Sequence, residues 1–412
     1  MQIIHACCCG IDVHAKTLVV CLIKNGAKTI RTFSTMTDDL LTLLDWLSEE
    51  GCTHVAMEST GVYWRPVYNI LEGNVEVMLV NAHHLKKVPG RKTDVRDCEW
   101  IADCLRHGLL TASFIPPPEI RELRELTRYR TSLAGELTRI ANRIQKVIES
   151  GNVKLGQVAS DALGKSGRAM LAALARGETD TERMANMAHT TLKHKKTELR
   201  RSLEGRLTDA QRWVLSDLLQ RYEETERAIK RVTERIDEEV RSSRDPFVGE
   251  AIELADELPG IGKQLAQNVL AEIGVRMAVF PSARHLSSWA GISPGNNESA
   301  GKRKSGKTTK GSPYLRRALV EAAWAASHTK SSYLSAQYHR LASRIGKKRA
   351  LVAVAHSILV ILYHLLSKRE HYCDLGLHYL DQRNRDAIRN HLVRRLQTLG
   401  YTVTTQEVPA AA

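Results

Sequence analysis

Four carboxylates stand at positions whose spacing suits metal-ion chemistry. Asp12, in Gly10-Ile11-Asp12-Val13-His14, follows an apolar run and precedes a second, Val- and Leu-rich run from Thr17 to Ile23. That pattern predicts two strands joined by a tight connection, with Asp12 at the mouth of the hairpin. Glu58 ends a further strand-like run, His54 to Met57. Asp94 and Asp97, in Lys92-Thr93-Asp94-Val95-Arg96-Asp97, are three apart and open an expected helix over Cys98 to Leu105. That spacing puts both on one helix face. Two strand-end acids and two helix-face acids supply the hard oxygen ligands that a pair of magnesium ions requires. Such ions activate a nucleophile and stabilise the leaving oxygen of a phosphodiester. Taken singly, Asp12 also reads as a turn residue and Asp94 as an acid favouring a helix N-terminus. The order strand-Asp, strand-Glu, helix Asp-x-x-Asp is far more specific than any one member.

A second group is basic. From Lys302 to Arg317 the chain carries Lys302, Arg303, Lys304, Lys307, Lys310, Arg316 and Arg317 with no acid among them. Glycine, serine and threonine fill the gaps, and the polar stretch Gly291 to Ala300 precedes them. This predicts a flexible loop lying along a phosphate backbone, with a merely solvated basic loop as the rival. Upstream, Leu258-Pro259-Gly260-Ile261-Gly262-Lys263 feeds an expected helix over Gln264 to Ile273. A glycine-rich turn at a helix N-terminus presents backbone N–H groups to a phosphate, as in helix-hairpin-helix DNA binders. A simple αα corner explains the same residues.

The elements that must position these groups follow from periodicity. The chain has 412 residues, enough for two or three domains. Residues 1–115 read as an α/β domain in the order β-β-β-α-β-α-β-α, that of ribonuclease-H-like nucleases. In it Thr37 caps a helix whose apolar positions are Leu40, Leu41, Leu44 and Leu47, and a basic loop with His83, His84, Lys86, Lys87, Arg91 and Lys92 leads to Asp94. Pro116-Pro117-Pro118 marks a boundary. Residues 116–245 then carry two heptad-like seams, Ile120 to Val147 and Leu215 to Val240, read as a coiled coil or a long helical hairpin. Whether they form an intramolecular spacer or a self-association surface is open at this level. Residues 246–412 read as a mostly helical C-terminal domain.

Lys plus Arg outnumber Asp plus Glu by 60 to 46, a net charge of +14, which favours nucleic acid as a partner. The eight cysteines contain no C-x-x-C pair and read as reduced, buried thiols of a cytoplasmic protein. No cleavable signal is expected at the N-terminus, and the apolar run Ala350 to Leu366, with His356, Ser357 and His364 inside it, is read as a buried helix rather than a membrane span.

With these residues in view, the chain resembles the DEDD transposases of small bacterial insertion sequences. The resemblance rests on GIDVH, MESTGVYW at Met57 to Trp64, KTDVRD at Lys92 to Asp97, LPGIG, WAGISP at Trp289 to Pro294, and YLRRAL at Tyr314 to Leu319, all in the family's order. It implies a RuvC-like N-terminal domain, a coiled-coil region and a C-terminal transposase domain. It further implies an RNA-guided recombinase that cuts and rejoins donor and target double-stranded DNA, directed by a bridge RNA and using Mg2+. The catalytic and metal-binding acids would be Asp12, Glu58, Asp94 and Asp97, and the nucleophile Ser299. The family often has glycine after this serine, where this chain has Ala300, so Ser305 and Ser312 stay as alternatives. Lys92, Gly260, Gly262, Lys263 and the seven residues Lys302, Arg303, Lys304, Lys307, Lys310, Arg316 and Arg317 are the expected nucleic-acid contacts. The composite site would be completed between protomers of a homo-oligomer, a dimer or a tetramer in the synaptic complex, associated with the bacterial nucleoid. The competing reading is a hydrolytic, Holliday-junction-type nuclease that uses the four acids alone.

Overall fold

The computed structural model describes residues 2–59, 61–80, 97–295, 297–299, 302–383 and 385–406. It divides into two compact units, residues 1–115 and 116–412.

The first unit is an α/β unit built on a mixed sheet. Its strands are β1 (Cys7–Val13), β2 (Thr17–Lys24), β3 (Ala27–Ser34), β4 (His54–Glu58) and β5 (Glu76–Val80), ordered β3-β2-β1-β4-β5. β1, β2 and β3 form an antiparallel meander, whereas β4 and β5 continue from β1 in parallel. The β2–β3 turn is Asn25-Gly26 with both φ positive, the primed turn whose twist matches an antiparallel pair. A parallel neighbour needs a crossover, and α1 (Thr37–Glu49) and α2 (Trp64–Leu71) supply two. Both sheet faces are covered. Cys9, Ile11, Val13, Val55 and Met57 bury against Leu40, Leu43, Trp46, Leu47 and Val67 from those two helices. Cys8, Cys21, Ala56 and Val80 bury against Cys98, Ile101, Ala102 and Leu105 of α3 (Asp97–Arg106).

Two local expectations change. Thr37 is the first helical residue rather than the cap; the cap position is Met36, and Ser34 Oγ accepts its N–H at 3.1 Å. Leu41 is 47% exposed, because the buried stripe of α1 runs through Leu40, Leu43, Trp46 and Leu47 instead. The cysteines are free thiols, but not all are buried: Cys373 is exposed and Cys7 half-buried, while burial raises Cys8 to about 11 and Cys21 and Cys52 to about 12.

Among its described residues the second unit is helical apart from one small hairpin. Its frame is a pair of long helices, α4 (Pro118–Ser150) and α9 (Asp209–Ser242). They pair within one chain and run antiparallel. Gln211 Nε2 donates to Ser150 Oγ at one end (3.0 Å), and Ser243 Oγ donates to Glu119 Oε2 at the other (3.0 Å). α4 starts at a proline, tolerated at N1 because that N–H is unpaired in any helix. A Thr208–Gln211 capping box starts α9. Between them lie α5 (Leu155–Val158), α6 (Lys165–Ala175), α7 (Thr181–Ala185) and α8 (Lys196–Ser202), which share a core with Ile144, Ile148, Leu215 and Leu218. At the opposite end, Leu123 and Ile236 pack on Ala271.

The remainder comprises α10 (Phe247–Asp256), α11 (Lys263–Ile273), α12 (Ala283–Trp289), α13 (Pro313–His328), α14 (Tyr333–Ile345), α15 (Lys347–Lys368), α16 (Tyr379–Arg383) and α17 (Arg385–Thr398). Among the described residues α15 is the one helix long and apolar enough to cross a membrane. Its Ala350, Val354, Ile358, Leu359, Leu362 and Leu366 are buried, and it packs on α10, α12, α13 and α14. α17 has no buried residue.

Candidate functional site

The acids are assembled by the sheet register. Ile11 pairs with Met57 in the parallel β1–β4 ladder, so the next residues along, Asp12 and Glu58, are neighbours at the carboxyl ends of adjacent strands. Side chains alternate along a strand. Cys8, Gly10 and Asp12, like Ala56 and Glu58, therefore belong to the face that α3 covers. Three contacts fix the direction of α3 on that face. The N–H groups of Ile4 and His5 reach Arg106 O, Cys8 Sγ donates to Ala102 O, and Gly10 lies against Cys98 O and Ala102 N. Moving forward along β1 thus moves backward along α3, so Asp97, its first residue, lies toward the Asp12 end. Gly10 makes this approach possible. A Cβ there would stand 2.3 Å from both Cys98 O and Ala102 N, closer than atoms can come.

Asp12 is engaged by a residue that the motif reading did not single out. His14 Nε2 lies 3.1 Å from Asp12 Oδ2, and the two side chains are 58% and 21% exposed. The signal was available, since residues two apart in GIDVH share a side of an extended chain. Asp94 and Lys92 lie outside the described residues, as does the rest of the basic loop. Among the described residues no three acid, histidine or cysteine side chains are gathered closely enough to hold a metal ion. The donors present nevertheless fit a hard divalent cation in type, because all three described acids are carboxylates, two at adjacent strand ends and one at the start of the helix that covers that face.

The serine region lies in the second unit. The stretch expected as a flexible loop is a two-stranded hairpin, β6 (Asn297–Ser299) paired antiparallel with β7 (Lys302–Ser305). Glu298 is in register with Arg303 and Ser299 with Lys302. The ladder forms because the base holds the two legs side by side. Gly295 N donates to Lys307 O at 2.8 Å, and Pro294 bridges Thr308. Below the base, Gly291 and Gly311 pass so closely that a Cβ on Gly311 would lie 2.3 Å from Ala290 C and O. Gly291, at φ +69°, ends the turn after α12, which accounts for the glycine in WAGISP. Of the alternative serines, Ser305 ends β7. Ser312 caps α13, accepting from Leu315 N (3.3 Å) while donating to Glu272 Oε2 (3.0 Å).

The remaining basic positions divide. Gly260, at φ +88°, is pressed against α13, where an added Cβ would be 2.3 Å from Ala322 O. Gly262 is open and caps α11, and Lys263 Nζ pairs with Asp237 Oδ1 at 2.9 Å. Arg316 Nη1 donates to Thr308 Oγ1 at 2.9 Å and steadies the hairpin base. Lys307, Lys310 and Arg317 are exposed. Arg317 joins Gly262, Lys263, Tyr314 and Arg128 around a cleft of about 520 Å³. Behind the cleft Arg130 is buried, giving hydrogen bonds to Gln267 Oε1, Gln264 O and Asn268 Oδ1, and burial lowers its guanidinium to about 10.

Known proteins share this arrangement of motifs. A family model for DEDD transposases of the IS110 type matches residues 9–152, which hold the four acids. A second, described as the transposase IS116/IS110/IS902 family, matches residues 252–339, which hold the glycine turn and the hairpin. The chain belongs to the IS110-family DEDD transposases. It is also similar to the transposase for insertion sequence element IS1111A of Coxiella burnetii strain RSA 493 / Nine Mile phase I. The two are 23% identical over 383 residues, covering 88% of this chain and 90% of the relative. This IS110-family protein is therefore a transposase enzyme acting on DNA, and DEDD transposases as a family work with divalent metal ions.

Proposed function

We propose that this transposase cuts and rejoins the DNA of its insertion sequence and target through a covalent phosphoserine intermediate, with Asp12, Glu58, Asp94 and Asp97 holding two Mg2+ ions and Ser299 as nucleophile. The reading takes residues 1–115 as a RuvC-like, ribonuclease-H-like domain, 116–245 as a coiled-coil region and 246–412 as the transposase domain with a helix-hairpin-helix-like turn. The single observation that carries it is the register: Asp12 and Glu58 are adjacent strand-end carboxylates on one face, with Asp97 opening the helix that covers that face.

The ions, when bound, neutralise charge on the scissile phosphate and lower the barrier to attack. The chain's own residues do the rest. Ser299 Oγ forms a bond to phosphorus as the bond to one deoxyribose oxygen breaks, and that oxygen leaves as a free hydroxyl after taking a proton. Phosphodiester energy is kept in the serine ester, so rejoining to a new hydroxyl needs no nucleotide cofactor. Lys302, Arg303, Lys304, Lys307, Lys310 and Arg317 grip phosphates in a sequence-independent way. A bridge RNA supplies target choice. Acids and serine from different protomers of a homo-oligomer complete one site.

The test is adduct trapping. The full-length protein, Mg2+ and co-purified RNA are incubated with nicked target DNA and resolved on a denaturing gel, and the modified peptide is identified by mass spectrometry. A nucleotide on Ser299, lost in both S299A and D12A, is the expected result. Cleavage without an adduct, unaffected by S299A, would mean a hydrolytic nuclease.

A further inference from the structure

We infer that Glu272 is the positioning residue for the Ser299 hairpin, a buried carboxylate that sets the hairpin's orientation against the long helix α4. The inference rests on the proposed role of Ser299. Glu272 lies in the last turn of α11 and is 2% exposed. A buried carboxylate persists only where its oxygens are paired, and these are fully engaged. Oε1 accepts from Arg128 Nε at 2.7 Å, and Oε2 accepts from Arg128 Nη2 at 2.9 Å and from Ser312 Oγ at 3.0 Å. Arg128 belongs to α4, and the Tyr314 ring covers its guanidinium at 4.4 Å. One turn earlier on α4, Arg124 donates to the carbonyls of Ala271 and Glu272 at 2.9 and 2.7 Å. The end of α11 is thus fastened to α4 through backbone and side chain together.

Ser312 is the link from this lock to the hairpin. Its single proton goes to Glu272 while its lone pair caps α13. Gly311 beside it is wedged against Ala290 and Gly291, and a few residues back the legs are tied at Gly295–Lys307 and Pro294–Thr308. From Ser312 to the base of β6 and β7 there is little slack, so the direction in which the hairpin projects is inherited from the Glu272–Arg128 pair. A buried ion pair of this kind contributes specificity of arrangement more readily than stability. A nucleophile displaced by about 1 Å can lose on the order of a hundredfold in rate.

The experiment uses full-length E272Q, S312A, S312T and the double variant E272Q/S312A. It reads adduct rate on nicked DNA with Mg2+, DNA affinity, and hydrogen exchange of backbone amides in residues 294–308. E272Q is expected to keep its circular dichroism spectrum and its DNA affinity within about twofold. Its adduct rate is expected to fall by about 10- to 100-fold, and its hairpin amides to exchange faster. S312A is expected to behave alike, S312T to be largely rescued, and the double variant to be no worse than the weaker single, as for two partners in one hydrogen bond. Wild-type adduct rate and unchanged hairpin exchange in E272Q overturn the proposal. So does uniformly faster exchange across the second unit with loss of DNA binding in both E272Q and S312A, which would mark a merely structural role. If S299A still forms the adduct, the nucleophile assignment fails instead, and the hairpin exchange in E272Q still decides whether Glu272 holds that element.

Discussion

The acidic edge of the first unit and the hairpin base of the second are built on opposite plans. At the acidic edge, Asp12 and Glu58 sit at the carboxyl ends of adjacent strands, and among the described residues no three acid, histidine or cysteine side chains are gathered closely enough to hold a metal ion. At the hairpin base nearly every polar group is satisfied by another part of the chain, through Arg124, Arg128, Glu272 and Ser312. A site that takes up hard cations needs carboxylates held in place and open to the ion. An element that must aim a side chain needs the reverse, a base over-determined by several interactions. The two regions therefore predict different responses to substitution.

The largest effect is expected at the acids. If the proposed metal site is right, D12A, E58A or D97A should each lower strand cleavage by several orders of magnitude, because each would remove a carboxylate ligand. DNA affinity should survive, since each substitution leaves every lysine and arginine expected to contact phosphate in place. A cleavage assay beside a gel-shift titration checks both, and normal recombination by any of the three would dissolve the contrast by removing the metal site. Next is Gly10. G10A places a Cβ 2.3 Å from two backbone atoms of α3, so the helix must move off the sheet. A loss of about 1–3 kcal/mol in unfolding free energy, as for other overpacked cores, should come with a fall in cleavage as Asp97 is displaced. Chemical denaturation measures the first and the cleavage assay the second. Wild-type stability in G10A would mean that α3 is less closely seated than its packing requires.

The same contrast explains what the sequence made legible. Strand ends follow from alternation, so Asp12 and Glu58 could be placed from the runs Cys7–Val13 and His54–Glu58, with their neighbour relation left to the β1–β4 register. The face of α1 was harder, because Leu41 and Leu44 satisfy a helical stripe nearly as well as Leu43 and Trp46 do. In the second unit, the hairpin pattern of α4 and α9 is visible in their heptads, but the four short helices between them carry no long period. β6 and β7 were missed for a plainer reason. Strands of three and four polar residues have no apolar alternation to reveal them. The Glu272 lock pairs residues about 140 apart in sequence. Its one local trace is an acid inside the apolar run Val269 to Val275.

A smaller effect is expected in the hairpin itself. K304E or K307E should weaken DNA binding without altering the fold, and each phosphate no longer neutralised should make the log–log salt dependence shallower by about 1. Titration at several salt concentrations reads this directly. An unchanged affinity and slope would mean that the hairpin's charge is not on phosphate, and would leave aiming Ser299 as its main task.

The smallest effect lies in the support layer, at Asp237. Burial pushes its carboxyl up, but hydrogen bonds from Lys263 and Gln267 and the nearby charges of Lys263 and Arg130 outweigh this and hold it below the ordinary value of 3.8. A carboxylate whose folded value is depressed adds stability that is present above its unfolded value and is lost as pH falls through the folded one. D237N should therefore cost about 1–2 kcal/mol at neutral pH, the scale of a partly exposed charged hydrogen bond. The gap between variant and wild type should close as pH drops below about 4. Chemical denaturation of both proteins across that range measures it. A gap that stays constant with pH would assign the loss to packing rather than to the charge that Lys263 and Gln267 hold in place.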